Sequence, residues 1–124
     1  MNSGEPSNRN PRRGDILRAR LNPISGSEQG GERLVLVLSP DIINEHATVI
    51  IVAALTSRKT ERLFSFEALI EPPEGGLSQR SKVMLLHIRS IDKQRITGYY
   101  GRVRDETMER VDAAIRIATG LTHI

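Results

Sequence analysis

The chain has 124 residues, 38% hydrophobic and 27% charged, which suits one globular domain large enough to bury a core. It has no cysteine, which excludes disulfides and thiolate catalysis, and no signal-like or membrane-length apolar run, so a cytoplasmic protein is expected. The net charge of +3 permits a polyanionic partner, while two Phe, two Tyr and no Trp argue against an aromatic platform for stacking bases.

Residues 1–12 hold no aliphatic side chain after Met1, so they cannot repay the entropy of ordering; a flexible tail is expected ahead of one domain over 13–121. "DILRARL" (15–21) alternates, predicting a strand with one wet face. "RLVLVLS" (33–39) and "TVIIVAAL" (48–55) are continuous apolar runs of strand length, suited to strands covered on both faces. The "PDIINEHA" connection (40–47) is short enough to make them antiparallel neighbours. "LFSFEALI" (63–70) alternates again, and "EPPEGG" (71–76) breaks the chain. "KVMLLHIRSI" (82–91) and "RITGYYGRV" (95–103) supply two more strands. In "RDETMERVDAAIRIATGL" (104–121), Met108, Val111, Ile115 and Ala118 share a helical face. Asp105 is a candidate N-cap, Asp112 and Arg116 are four apart, and Gly120 is a stop. The expected fold is mainly β: a closed or nearly closed antiparallel barrel with a C-terminal helix over about 105–118.

Antiparallel pairing of the two apolar runs sets the start of the first beside the end of the second, so Arg33 should stand near Thr56 and Ser57 at one rim. Alternation through "VMLLHIRS" puts Val83, Leu85, His87 and Arg89 on one face and Leu86 on the other, towards the core. Taken singly, Arg33 fits a solvated strand start, Thr56 a strand-end hydroxyl bonding its own backbone, and Asp15 and Asp92 turn or cap residues. His46 and His123 fit solvated positions.

"RRGDI", "GSEQGGER", "VAALTS", "IRSIDKQRI" and "RDETMERVDAAIRIATGL" stand in an order and spacing that resembles the MazF/PemK toxins of bacterial toxin–antitoxin pairs, from about Arg13 to Leu121. The resemblance implies an SH3-like (plasmid-toxin type) antiparallel β-barrel and a homodimer. It also implies a sequence-specific endoribonuclease that cuts single-stranded RNA without metal or other cofactor, leaving a 2′,3′-cyclic phosphate and a 5′-hydroxyl. A MazE-like antitoxin with an acidic, disordered tail is the implied partner, and no membrane is involved. By position, Arg33 matches the family's catalytic arginine and Thr56 its active-site threonine. Ser27, Glu28 and Gln29 match the RNA-contacting loop, and Ser57, His87 and Arg89 fall beside the groove.

Two departures bear on mechanism. Leu34 replaces the proline that usually follows the arginine. "LH" (Leu86, His87) stands where many members carry an acidic residue followed by glutamine, and Ser27 stands where the plasmid-borne branch has histidine, so that branch's proton chemistry does not transfer. His87 is then either an RNA contact or a titrating participant, since imidazole exchanges protons near neutral pH. Two other readings use the same barrel: a CcdB-like non-catalytic toxin that binds a protein, and a plain SH3-like interaction module. Neither needs a phosphate-facing arginine.

Overall fold

The computed structural model describes residues 10–21 and 31–123; most of the expected tail, and the loop carrying Ser27, Glu28 and Gln29, lie outside the described residues. Six strands, β1 (Asp15–Arg20), β2 (Glu32–Val37), β3 (Val49–Thr56), β4 (Glu67–Ile70), β5 (Ser81–Asp92) and β6 (Ile96–Arg102), accompany two helices, α1 (Asp41–His46) and α2 (Asp105–Ala118). The strands form one antiparallel sheet in the order β4-β5-β3-β2-β1-β6.

β4 and β6 are the two edges of the sheet and, among the described residues, do not pair with each other, so the barrel is a half-barrel rather than hydrogen-bonded all round. A 3-10 turn at Glu74–Gly76 packs against β6 across that gap. A Cβ on Gly76 would lie 2.1 Å from the Tyr100 carbonyl oxygen, and its φ is +78°. Only glycine fits there, so "EPPEGG" is a close-approach site as well as a chain break.

The two apolar runs are covered on both faces over 35–38 and 52–55, whereas Val49 and Ile51 at the start of β3 leave one face exposed. Leu36, Ala53 and Leu55 join Ile16, Val83 and Leu85 in one core beneath α2, to which Met108, Val111 and Ala114 contribute. Val35, Val37, Ile50 and Val52 join Leu17, Ala19 and Ile91 on the opposite face. Fully burying each such aliphatic side chain contributes about 1.5–3 kcal/mol. β1 departs from the expected wet face: Ile16 and Leu17, on opposite sides, are both fully buried. The expected strand over 63–70 is shorter, because residues 63–66 belong to the turn leading into β4, and the 40–47 connection folds into α1. The packed chain also starts before Arg13, since Pro11 is buried and the Arg12 N–H donates to Asp15 Oδ2 at 2.8 Å. Asp92 is a cap as expected, accepting from the Gln94 N–H at 2.8 Å.

Helix α2 spans the expected residues, but the start signal is supplied from elsewhere. Asp105 is its first residue and not the N-cap, and no side chain of the cap position is used. Glu74 takes that place, accepting from the Arg104 N–H at 2.9 Å and from the Thr107 hydroxyl. A carboxylate here also meets the positive end of the helix dipole. Burial pushes the Glu74 carboxyl up, but the bonds from Thr107 and Arg104 outweigh it and hold it below its ordinary range. Asp112 pairs with Arg13, which ties α2 to the start of the domain, instead of with Arg116. Among the described residues no helix is long and apolar enough to cross a membrane.

Candidate active site

The rim expected from strand order is present. β2 and β3 pair as Val35↔Ala54, Leu36↔Ala53 and Val37↔Val52. Continued by two residues, the same register sets Arg33 across from Thr56. Both line a groove of about 540 Å³, with Ser57, Arg58 and His87 on its wall. Leu34, Leu55, Leu77 and Met84 supply its apolar lining. A low-polarity floor beneath a cation strengthens the field felt by an entering anion.

Arg33 is exposed, with no ion pair or side-chain hydrogen bond among the described residues. Its acidic neighbour Glu32 faces another cation: Arg18 Nε stands 3.6 Å from Glu32 Oε1. Arg18 also donates to the Tyr100 hydroxyl at 2.7 Å, and that bond raises the guanidinium's pKa above its ordinary value. Glu32 thus lines the groove paired with Arg18, and no partner of the Arg33 guanidinium is found among the described residues. A guanidinium fork matches two oxygens of a phosphate.

Thr56 ends β3 with its hydroxyl accepting from the Arg58 N–H at 3.1 Å. This is the local turn bond that a strand-end threonine is expected to make, and it leaves the O–H proton able to donate into the groove. The same bond fixes how Ser57 and Arg58 leave the strand.

The β5 side differs from simple alternation. Between the rungs Ala53↔Ile88 and Leu55↔Val83, five steps of β5 are matched by two of β3. Such a bulge resets which side chains face inward. Leu86, expected in the core, is instead 63% exposed. His87, next to it, lines the groove. Arg89, beyond the bulge, pairs with Val52 and is not among the groove-lining residues. The structure thus brings Arg33, Thr56, Ser57 and His87 together and leaves Arg89 further along the sheet.

Sequence reasoning missed Ser78, Gln79 and Tyr100, which also line the groove. Ser78 and Gln79 follow "EPPEGG" and look like ordinary turn residues until the 3-10 turn carries the chain back across the rim. Tyr100 gave no signal beyond a strand aromatic. Among the described residues no cluster of three His, Cys, Asp or Glu side chains could hold a metal ion. The groove presents the guanidiniums of Arg33 and Arg58, the hydroxyls of Thr56, Ser57, Ser78 and Tyr100, the His87 imidazole and one carboxylate, Glu32, which faces Arg18.

A family profile described as PemK-like, MazF-like toxin of type II toxin–antitoxin systems matches residues 12–119. The chain is 40% identical over 110 residues to endoribonuclease EndoA of Bacillus subtilis (strain 168), covering 89% of this chain and 95% of that one. Among solved structures, MazF (form I) from Deinococcus radiodurans is 27% identical with a TM-score of 0.73, over 91% of this chain and 99% of that one. A MazE–MazF structure (form II) from the same organism is 26% identical with a TM-score of 0.75, over 93% of this chain and all (100%) of that one. Mycobacterium tuberculosis toxin MazF-mt6, at 23% identity and a TM-score of 0.74, shares the fold over 88% of this chain and 99% of that one.

Proposed function

Since the chain belongs to the PemK-like, MazF-like toxins of type II toxin–antitoxin systems, we propose that its rim groove cuts single-stranded RNA with Arg33 and Thr56 as catalytic residues. It is an endoribonuclease toxin, like the 40%-identical relative named endoribonuclease EndoA, and its partner is a cognate antitoxin, as in the MazE–MazF structures. Nothing favours the non-catalytic toxin or the plain interaction module. The observation that carries the site assignment is Arg33, without an internal counter-ion among the described residues, lining one groove with Thr56.

The nucleophile is RNA's own 2′-hydroxyl. Its oxygen bonds to the adjacent phosphorus as its proton leaves, and the 5′-oxygen departs and takes up a proton. The products are a 2′,3′-cyclic phosphate and a 5′-hydroxyl. Arg33 balances the charge that grows on the phosphoryl oxygens, an interaction strongest in the transition state. Thr56 donates to a second oxygen and holds the phosphate in line. Ser57 and His87 contact the flanking RNA, and Ser27, Glu28 and Gln29 extend that contact from the loop. Arg89 acts farther along the strand's path.

Sequence-specific cleavage of messenger RNA in the cytoplasm by a homodimer completes the reading. The test is incubation with a long transcript in excess EDTA, with end-group analysis of the fragments. Cuts at one short motif with cyclic phosphate ends support it. Cleavage that proceeds equally at a 2′-deoxyribose overturns it.

A further inference from the structure

The chain has only two phenylalanines and no tryptophan, and neither phenylalanine lies in the core. Phe64 and Phe66 stack on each other, ring centroids 5.3 Å apart and planes 2° from parallel. Phe64 remains 44% exposed. Composition argues against an aromatic platform, but the fold gathers both phenylalanines into one.

The pair is firmly held. The Phe64 N–H donates to Glu67 Oε1 at 3.1 Å, and the Glu67 N–H to the Phe64 carbonyl at 2.9 Å. Glu67 Oε1 in turn stands 3.0 Å from Lys82 Nζ. That ammonium also donates to the Arg62 carbonyl at 2.8 Å and sits over the Phe64 ring, 5.9 Å from its centre. Lys82 is nearly buried and pairs with Thr56 across the β3–β5 ladder. One lysine therefore ties the aromatic pair to the rung that carries Thr56.

The turn between carries Arg58, Lys59 and Arg62 against a single acid, Glu61, and Arg58 itself lines the groove. A pre-ordered ring stack rimmed by cations suits an unpaired nucleotide: the ring takes the base and the cations take the phosphates. An acidic protein segment would use the cations but has no need of parallel rings.

We propose that Phe64, backed by Phe66 and flanked by Arg58, Lys59 and Arg62, is a stacking subsite for a base near the cleaved phosphodiester. This rests on the RNA-cleaving reading above and extends the binding surface beyond the groove. Stacking on a ring is tolerant of base identity, so the subsite lends affinity and fixes the strand's path, while base choice is made elsewhere.

Phe64→Trp would give the chain its only tryptophan, whose fluorescence reports on stacking directly. The variant is titrated with a short mixed-sequence 2′-deoxy single strand, which binds without being cut, and with polyphosphate, which has charge but no bases. Saturable quenching by the single strand and none by polyphosphate is expected. In a parallel anisotropy titration of a labelled strand, Phe64→Ala and Phe64→Leu should bind roughly tenfold more weakly, the weight of one stacked base. Phe64→Trp should bind at least as well as wild type. Phe64→Leu keeps the apolar bulk, so its melting should match wild type and separate lost stacking from lost fold. Equal quenching by polyphosphate, no quenching by the strand, or wild-type affinity in Phe64→Leu would overturn the subsite. So would quenching by an acidic antitoxin peptide alone, which would make the surface a protein contact. None of these readouts depends on cleavage, so a wild-type chain that binds strands through Phe64 yet cuts no RNA would overturn the catalytic reading alone.

Discussion

The hydroxyl of Thr56 accepts a hydrogen bond from the backbone N–H of Arg58 at 3.1 Å. One side chain thereby shapes the turn at the rim and presents a donor to the groove. Thr56→Ala loses both functions, Thr56→Val loses both while keeping the side chain's shape, and Thr56→Ser retains both. Loss of the turn bond should cost about 0.5–1.5 kcal/mol of stability. Cleavage should fall in the order Thr56→Ser, then Thr56→Ala, with Thr56→Ala still less damaging than loss of Arg33. Thermal melts with single-turnover rates check both parts. A Thr56→Ser variant as inactive as Thr56→Ala would remove the hydroxyl's role.

His87 lines the groove, and among the described residues its imidazole is in no ion pair with a carboxylate. As an RNA contact it should be replaceable by glutamine: His87→Gln should keep the single-turnover rate and its pH profile, while His87→Ala should raise KM. The rate is measured from about pH 5 to about pH 8. If glutamine lowers the rate and flattens the rising limb, His87 is a general base.

Glu74 gives a pH test of the fold. Its carboxyl is held below the ordinary range by Thr107 and Arg104 despite burial. A lowered folded pKa means that its contribution is whole above the unfolded glutamate value and is lost as pH falls through the folded one. Glu74→Gln should therefore be less stable at neutral pH by about 1–3 kcal/mol, with a shallower loss on acidification. Denaturant midpoints at neutral and acid pH check the sign. A midpoint unchanged at neutral pH would contradict the cap.

Local patterns carried most of the fold. The runs at 33–39 and 48–55 announce strands covered on both faces, and over 35–38 and 52–55 both cores draw on them, though Val49 and Ile51 stay exposed. Their antiparallel order alone brings Arg33 to Thr56. What escaped depends on non-local geometry. Leu86 obeys alternation until a bulge, set by how β5 bends around β3, turns it outward. Asp105 has the right type for a cap, but Glu74 reaches the helix start from a different part of the chain. Phe64 and Phe66 look like strand alternation because their stack depends on Glu67 and Lys82, the second of which lies on another strand.

Oligomeric state is a separate expectation. Ile51 and Val49 are 39% and 41% exposed on β3, and Ile42 on the neighbouring α1 is 65% exposed. Exposed aliphatics gathered in this way suit burial against a second copy. Light scattering at micromolar concentration should report about twice the 13.8 kDa chain mass. A fully active monomer would contradict the homodimer.

The most direct test of the site is the single-turnover cleavage rate of Arg33→Ala and Arg33→Lys on one mapped RNA target. Removing a charge-assisted contact made mainly in the transition state should cost about 3 kcal/mol, on the order of a hundredfold in rate. Arg33→Ala should therefore be nearly silent with melting close to wild type. Arg33→Lys should recover little, because an ammonium lacks the planar fork. Wild-type turnover in Arg33→Ala would contradict the assignment of this groove as the active site.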